Sequence, residues 1–132
     1  MLVYMLDTDI CIYVMRKRPP SVEQRFDRFA GQLCISDVTL AELHYGAQKS
    51  ARPDQNLKSL EEFVSQLAVL PFASAAAAHF GQIRAELERK GTPVGGYDLM
   101  IGAHARAEDL TIVANNVREF ERMPGLRVEN WI

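Results

Sequence analysis

Acidic side chains stand at several places in this chain where proteins built on parallel sheets bind their ligands. Asp7 directly follows an apolar run, and Asp9 comes two residues later. Glu42 lies six residues after Ser36, which is a good helix-capping residue, and Asp98 stands at the start of an apolar segment. Because such ligands bind beyond the carboxyl ends of the strands, we expect Asp7, Glu42 and Asp98 to lie at one edge of a sheet.

Each acid by itself also has an ordinary structural explanation, since Asp7 and Asp9 are suitable helix caps and Glu42 suits a solvent-exposed helix face. Together they follow one signal, a strand end or a helix start, which favours a shared site. Two unit charges about 4 Å apart repel by about 4 kcal/mol at an effective dielectric of about 20, so gathered carboxylates require protons or a cation. Their oxygens favour Mg²⁺, and Mn²⁺ is a suitable substitute.

Apolar runs predict the strands that must position these acids. Four are short and buried, and a weaker alternating pattern near the end suggests an edge strand; their positions are 2–6, 33–35, 67–70, 110–114 and 126–132. Helical periodicity lies between them, at 8–15, 21–29, 38–49, from 53 onward, from 73 to the stop at Gly91, and at 99–107. This alternation predicts an α/β fold, a three-layer α/β/α sandwich with a central parallel sheet of four to five strands.

Composition narrows the class of protein. A length of 132 residues with 48% hydrophobic content fits one compact domain, residues 1–132, and excludes a disordered tail. A net charge of −2 excludes tight binding to nucleic acid through the field of the whole molecule, so any such contact is local. The apolar start lacks a basic end and is interrupted by Asp7 and Asp9, and no apolar run reaches membrane length, so we expect a cytoplasmic protein.

The remaining chemistry-bearing residues suggest structural roles. Cys11 and Cys34 lie in apolar runs without metal-ligand spacing, which is typical of reduced core thiols. The histidines are predicted to be helix-face residues, and they are His44, His79 and His104. Ser36 and Thr39 start a helix and are also suited to positioning Glu42 or a water molecule. The small residues Gly102, Ala103 and Ala105 predict close packing of the Asp98 helix on the sheet.

Three segments carry a family resemblance that spans nearly the whole chain, in order and at family-like spacing. They are MLDTDICIY at 5–13, SDVTLAELHYGA at 36–47 and YDLMIGAHA at 97–105. The chain resembles the PIN-domain ribonucleases, specifically the VapC-type toxins of bacterial toxin–antitoxin pairs. The resemblance implies a Mg²⁺-dependent endoribonuclease acting on structured RNA, with tRNA as the leading substrate class. It also implies a homodimer and inhibition by a small VapB-type antitoxin that docks over the active-site groove.

Residue by residue, the three acids of the family fall on Asp7, Glu42 and Asp98. The resemblance implies that Asp7 and Asp98 hold Mg²⁺. This chain departs from the family pattern at Asp9, where Asn is usual, and at Asn116, where many members have a fourth acid. Glu119 lies three residues further on and is a candidate to supply that carboxylate.

The chemistry that follows is in-line attack on an RNA phosphodiester by a metal-activated water, leaving 5′-phosphate and 3′-hydroxyl ends. Glu42 and Glu119 would orient the water or recruit a second ion. Basic side chains predicted to grip RNA phosphates are Arg16, Lys17, Arg18, Arg84 and Arg118.

Other functions remain open at this point. Asp7-Thr8-Asp9 after an apolar strand also resembles haloacid-dehalogenase-type phosphatases, in which the first Asp is a nucleophile, although the later lysine and acidic pair of that family have no counterpart here. A phosphoacceptor receiver domain is disfavoured because Pro71 and Phe72 follow the third strand. Asn116 leaves room for a nuclease-dead RNA-binding module.

Overall fold

A single sheet forms the centre of the computed structural model, which describes residues 1–132. Its strands are β1 Tyr4–Leu6, β2 Leu33–Ser36, β3 Ala68–Leu70, β4 Thr111–Val113 and β5 Val128–Glu129. All neighbouring strands are parallel, and their order is β3-β2-β1-β4-β5. The predicted parallel sheet is therefore confirmed, and the weak pattern at the end of the chain does add an edge strand.

Seven helices cover the two faces of this sheet. They are α1 Thr8–Arg16, α2 Pro20–Arg28, α3 Asp37–Gln48, α4 Pro53–Val64, α5 Ser74–Arg89, α6 Gly96–Ala107 and α7 Val117–Glu121. Buried side chains of α1 to α4 form one apolar core, and buried side chains of α5 to α7 form the other. The predicted three-layer α/β/α sandwich is confirmed.

The alternation of side chains between the two faces of the sheet explains why the central strands are continuous apolar runs in the sequence. Met5 and Leu6 are both fully buried, but Met5 belongs to the α5–α7 core and Leu6 to the α1–α4 core. Ile112 and Val113 divide between the two cores in the same way. Successive side chains of a strand point to opposite faces, so a sheet covered on both faces needs apolar residues at every position.

The strand order creates a crevice at the carboxyl ends of β1 and β4. From β1 the chain moves outward through β2 to β3, and it then crosses back through α5 and α6 to place β4 on the other side of β1. The connections that leave β1 and β4 therefore diverge, and ligands of doubly wound sheets bind at such a reversal of strand order.

Three features differ from the sequence expectations. The five-residue helix α7 lies in a stretch for which no helix was predicted, because so short an element carries little periodic signal. His104 is fully buried, so its prediction as a helix-face residue was wrong. Gly102 permits close packing against Met123, with whose sulfur a Cβ at position 102 would collide, and not against the sheet alone.

Other expectations agree with the structure. Cys11 and Cys34 are both buried free thiols. Helix boundaries differ from the predicted ones by one to three residues at most ends, as is usual for ends read from periodicity. No helix combines the length and apolar character that a membrane crossing requires.

Candidate active site

Asp7 is held at the carboxyl end of β1 by its own backbone. Its N–H donates to the carbonyl of Val113 at 2.9 Å, which ties it to β4. Its side chain caps α1, because Oδ1 accepts a hydrogen bond from the backbone N–H of Ile10 at 2.9 Å. Only 5% of Asp7 is exposed, so this carboxyl group is fixed in a largely dry position.

Glu42 lies in the second turn of α3 and is held from the neighbouring helix. The hydroxyl of Thr8 donates to Oε1 of Glu42 at 2.6 Å, across 34 residues of sequence. The bond leaves the second carboxylate oxygen of Glu42 free for another partner. Thr8 was not among the sequence-predicted site residues, and its only signal is its place between Asp7 and Asp9.

Asp98 completes the group from the first turn of α6. Its pKa is raised, first by burial, then by a hydrogen bond with the side chain of Glu119 and by the negative charges of Glu119, Asp7 and Glu42. Glu119 lies in the first turn of α7. The four side chains brought together here, Asp7, Glu42, Asp98 and Glu119, are called the acid cluster below.

The acid cluster carries more negative charge than its surroundings compensate. Burial raises the pKa of Asp7 to about 7, and the charges of Asp9 and Glu42 add to the rise while the Ile10 N–H opposes it. No cation is paired with any member, since the four salt bridges of the molecule all lie elsewhere. The raised pKa values of Asp7 and Asp98, both about 7, favour protons near neutral pH that a bound cation would displace.

The donor set of the acid cluster suits a hard divalent ion. All the donors are carboxylate oxygens, and no three or more of them are arranged to hold an ion through protein ligands alone. Mg²⁺ commonly takes one or two carboxylates and keeps several of its waters, so an open oxygen site of this kind fits it, and Mn²⁺ accepts similar ligands. Zinc is disfavoured because no Cys or His joins the cluster.

The predicted accessory residues occupy different surroundings. Ser36 caps α3 by accepting from the N–H of Val38 at 3.1 Å, and its hydroxyl also lies 2.8 Å from Nδ1 of His104. Thr39 is fully buried, and its hydroxyl has no hydrogen-bond partner. Asp9 is exposed in the first turn of α1. Asn116 occupies the N-cap position of α7 without a side-chain capping bond.

The predicted RNA-binding residues are dispersed around the molecule. Arg16, Lys17 and Arg18 are exposed at and after the end of α1. Arg118 is exposed on α7, next to Glu119. Arg84 is exposed on α5, but it forms an ion pair with Glu88 at 3.1 Å, so part of its charge is already compensated.

A groove borders the acid cluster between α1, α3 and α4. Its volume is about 390 Å³, and it shares Glu42 with the cluster. Apolar side chains such as Ile12 and Leu43 form part of its wall, and Arg16 lies at its side. The groove therefore joins an apolar surface to a charged site.

Comparisons with known proteins identify the family to which this fold belongs. The family model described as the PIN domain matches residues 4–126. The chain is 56% identical over 131 residues to the tRNA(fMet)-specific endonuclease VapC of Shigella flexneri, covering 99% of each chain. Its structure is similar to that of DNA-bound VapBC from Salmonella typhimurium, with 52% identity, a TM-score of 0.96 and full coverage of both chains. VapBC2 from Rickettsia felis bound to a promoter DNA fragment is also similar, at 41% identity and a TM-score of 0.93, covering 99% of this chain and 100% of that one.

Proposed function

The chain belongs to the PIN-domain family and to its VapC ribonucleases, and on that basis we propose that it is a Mg²⁺-dependent endoribonuclease toxin that cleaves structured RNA in the cytoplasm. The observation that carries the proposal is the acid cluster, four carboxyl groups gathered at the reversal of strand order with no cation among them. We propose tRNA as the substrate class, because the similar Shigella flexneri protein is named for tRNA(fMet).

We assign a role to each acid from its pKa and its hydrogen bonds. Asp7 and Asp98 would hold the metal, since their raised pKa values mark them as the groups that a cation would stabilise most in the ionised form. Glu42, with one oxygen held by Thr8, would orient the attacking water with the other. Glu119 would help to position Asp98 through the hydrogen bond between their side chains. When bound, Mg²⁺ lowers the pKa of a water ligand and neutralises charge on the reacting phosphate.

Hydrolysis then requires no histidine as general base. Attack by water on the phosphodiester breaks the bond to the 3′-oxygen of the preceding nucleotide, and that oxygen takes up a proton. The products carry a 5′-phosphate and a 3′-hydroxyl. Arg16 and Arg118, which are exposed near Glu42 and Glu119, are suited to hold the phosphates on either side of the cut.

A cleavage assay with defined end chemistry tests the function. The wild type, mixed with bulk tRNA and Mg²⁺, should give discrete fragments with 5′-phosphates, and EDTA should stop the reaction. An unstructured RNA of equal length should be cut more slowly. RNA binding without cleavage would instead indicate a nuclease-dead module, and release of phosphate from a small phosphomonoester without RNA cleavage would indicate a phosphatase.

We propose an antitoxin of the VapB type as the partner, seated in the groove between α1, α3 and α4. The groove shares Glu42 with the acid cluster, so a segment lying in it would cover the site. The similar Salmonella typhimurium structure is a VapBC complex, and its VapB protein is a suitable probe. Added VapB should inhibit cleavage in proportion to its binding.

Gly46 offers a way to test that position of the partner. It lines the groove, and a Cβ at this site would meet no atom within 4 Å, so Gly46→Gln should fill the groove and leave the fold intact. The matched control is Gly81→Gln, on α5, where the space is equally open. Loss of VapB inhibition in the first variant alone supports the placement, and equal inhibition of both rejects it.

We also propose that the chain forms a homodimer, as the family resemblance implies. Light scattering should give twice the 14.9 kDa of one chain at micromolar concentration. A mass of one chain would reject the proposal.

A further inference from the structure

A buried polar contact between His104 and Ser36 joins the two helices that carry Glu42 and Asp98. Both residues are fully buried, and Nδ1 of His104 lies 2.8 Å from the Ser36 hydroxyl oxygen, across 68 residues of sequence. Ser36 stands six residues before Glu42 at the start of α3, and His104 stands six residues after Asp98 on α6. The contact is therefore about 9 Å along the helix axis from each acid.

The directions of the hydrogen bonds follow from the other partners. The Ser36 oxygen already accepts from the N–H of Val38, so its own hydrogen is free to be donated to Nδ1 of His104. That assignment places the ring proton of His104 on Nε2. Burial lowers the pKa of His104, which favours the neutral ring that this bond needs.

The orientation of the His104 ring is fixed from a third side. The ring of Phe72 meets it edge to face, with centroids 5.5 Å apart. The backbone N–H of Phe72 in turn donates to Asp37 at the start of α3, at 3.1 Å. The ring is therefore held between α3, α6 and the segment after β3.

The two ring nitrogens of His104 are not equally well paired. Nε2 of His104 is buried and makes no hydrogen bond of good geometry, although the backbone of Pro71 lies close enough to act on the ring and oppose the lowering of its pKa. An apolar ring of similar size would remove that nitrogen but would leave the buried Ser36 hydroxyl without an acceptor. Residues that break a local rule of stability are commonly found where function requires them.

We propose that His104 is a positioning residue, which through Ser36 fixes the start of α3 against α6 and thereby sets the spacing of Glu42 and Asp98. The inference rests on the proposed function of the acid cluster. Thr8 holds Glu42 from the side of α1, and the His104–Ser36 contact places its helix from the side of α6. A small change of that spacing is costly, since displacement of a reacting group by about 1 Å lowers rates by up to about 100-fold.

Two substitutions at position 104 separate positioning from packing. His104→Phe keeps a ring of similar size beside Phe72 but leaves the Ser36 hydroxyl without its acceptor, so it should be somewhat less stable than the wild type and more stable than His104→Asn. Its kcat should nevertheless fall about 10-fold, with KM within about twofold. His104→Asn leaves unfilled space and should be less stable, but its amide can occupy the position of Nδ1. Its kcat should recover to within about threefold of the wild type.

Stability and activity should thus rank these variants in opposite orders. If kcat instead follows melting temperature, or His104→Phe keeps the wild-type kcat, the role of His104 is packing alone and the inference fails. Ser36→Ala should lower kcat at least as much as His104→Phe does, because it removes the cap of α3 as well as the contact with His104, and the double variant should be no slower than Ser36→Ala.

Mn²⁺ binding, followed by electron paramagnetic resonance without RNA, provides a readout that does not depend on catalysis. His104→Phe should weaken Mn²⁺ binding about three- to tenfold, and His104→Asn should restore it. Unchanged Mn²⁺ affinity in His104→Phe contradicts the inference. Failure of the proposed function looks different, because the wild type would then bind Mn²⁺ but cut no RNA.

Discussion

The two ends of helix α6 differ in whether their charged side chains have compensating partners. Near its end, the guanidinium of Arg106 donates to His79, to the carbonyl of Pro124 and to Gln82, each at 2.8 Å. Near its start, Asp98 faces three further carboxyl groups and no cation. At one end every bond has a neutral acceptor, and at the other negative charge accumulates. The hydrogen bonds of Arg106 stabilise the packing of α6 on α5. The carboxyl groups around Asp98 carry negative charge that no side chain of the protein compensates, which is typical of a binding site.

This contrast explains how one rigid helix can serve both purposes. Gly102 lies between the two ends and lets α6 approach Met123 closely, so the direction of Asp98 depends on the packing of the whole helix. Substitutions at the Asp98 end should therefore alter activity with little loss of stability. Substitutions at the Arg106 end should do the reverse.

The largest effect is expected from neutralising the acids themselves. Asp98→Asn and Asp7→Asn should each reduce RNA cleavage by at least about 100-fold, because the proposed metal site would lose a charged ligand. Asn retains the Oδ1 acceptor that caps α1 at position 7, and like-charge repulsion falls in both variants. Thermal denaturation should show unchanged or raised stability. The control is Asp54→Asn, on α4, which should cleave at the wild-type rate. Cleavage at that rate by Asp7→Asn or Asp98→Asn would contradict their assignment as metal ligands.

At the other end of α6, Arg106→Met should lower the free energy of unfolding by about 2 kcal/mol, since three hydrogen bonds to a charged donor are lost. Urea denaturation measures the change. At a temperature where the variant is fully folded, its kcat should stay within about twofold of the wild type. Arg127→Met is the matched control, because its partner Asp109 is exposed and such pairs contribute less than about 1 kcal/mol. A large fall in kcat for Arg106→Met would contradict the proposal that this end of α6 affects stability and not activity.

A smaller effect is expected at Glu119. Glu119→Gln keeps an acceptor beside Asp98 and removes one charge, so kcat should fall about 10-fold if Glu119 supplies the fourth carboxyl group. Glu121→Gln changes an exposed residue of the same short helix and should leave the rate unchanged. Equal rates for both variants would show that the acid cluster functions with three acids.

The smallest effect concerns stability and pH. Burial raises the pKa of Asp7 from its ordinary 3.8 to about 7, so between these values the folded state binds more protons than the unfolded state. The free energy of unfolding of the metal-free protein should therefore contain a contribution that is present at low pH and is lost as pH rises through about 7. Mg²⁺ should raise the melting temperature by about 2 to 4 °C at about pH 8 and by less at about pH 5.

The matched control for this pH dependence is a monovalent salt at equal ionic strength, which should not reproduce the shift. The Asp7→Asn/Asp98→Asn double variant should lose both the pH dependence and the response to Mg²⁺. A Mg²⁺ effect that is equal at both pH values would mean that the raised pKa values are not linked to the metal.

Much of this molecule could be predicted from local patterns. Apolar runs indicated four of the five strands, because the central strands of a sheet covered on both faces are buried, and a weaker alternating pattern indicated the edge strand β5. Helical spacing indicated six of the seven helices. Asp7 was singled out because it follows a strand end, Asp98 because it lies in the first turn of a helix, and Glu42 because it lies early in the helix that Ser36 starts. The haloacid-dehalogenase alternative, which depended on Asp7-Thr8-Asp9 alone, gives way to the PIN family once the whole chain is compared.

What the amino-acid sequence determined by itself is therefore which residues are apolar, which begin elements and which carry charge at those beginnings. Tertiary structure alone decided that Thr8 holds Glu42, that Glu119 reaches Asp98, and that His104 turns inward to Ser36. The physical reason is that periodicity acts within one element, whereas these contacts join residues up to 68 positions apart. Such contacts form only when the strand order brings separate helices and strands side by side.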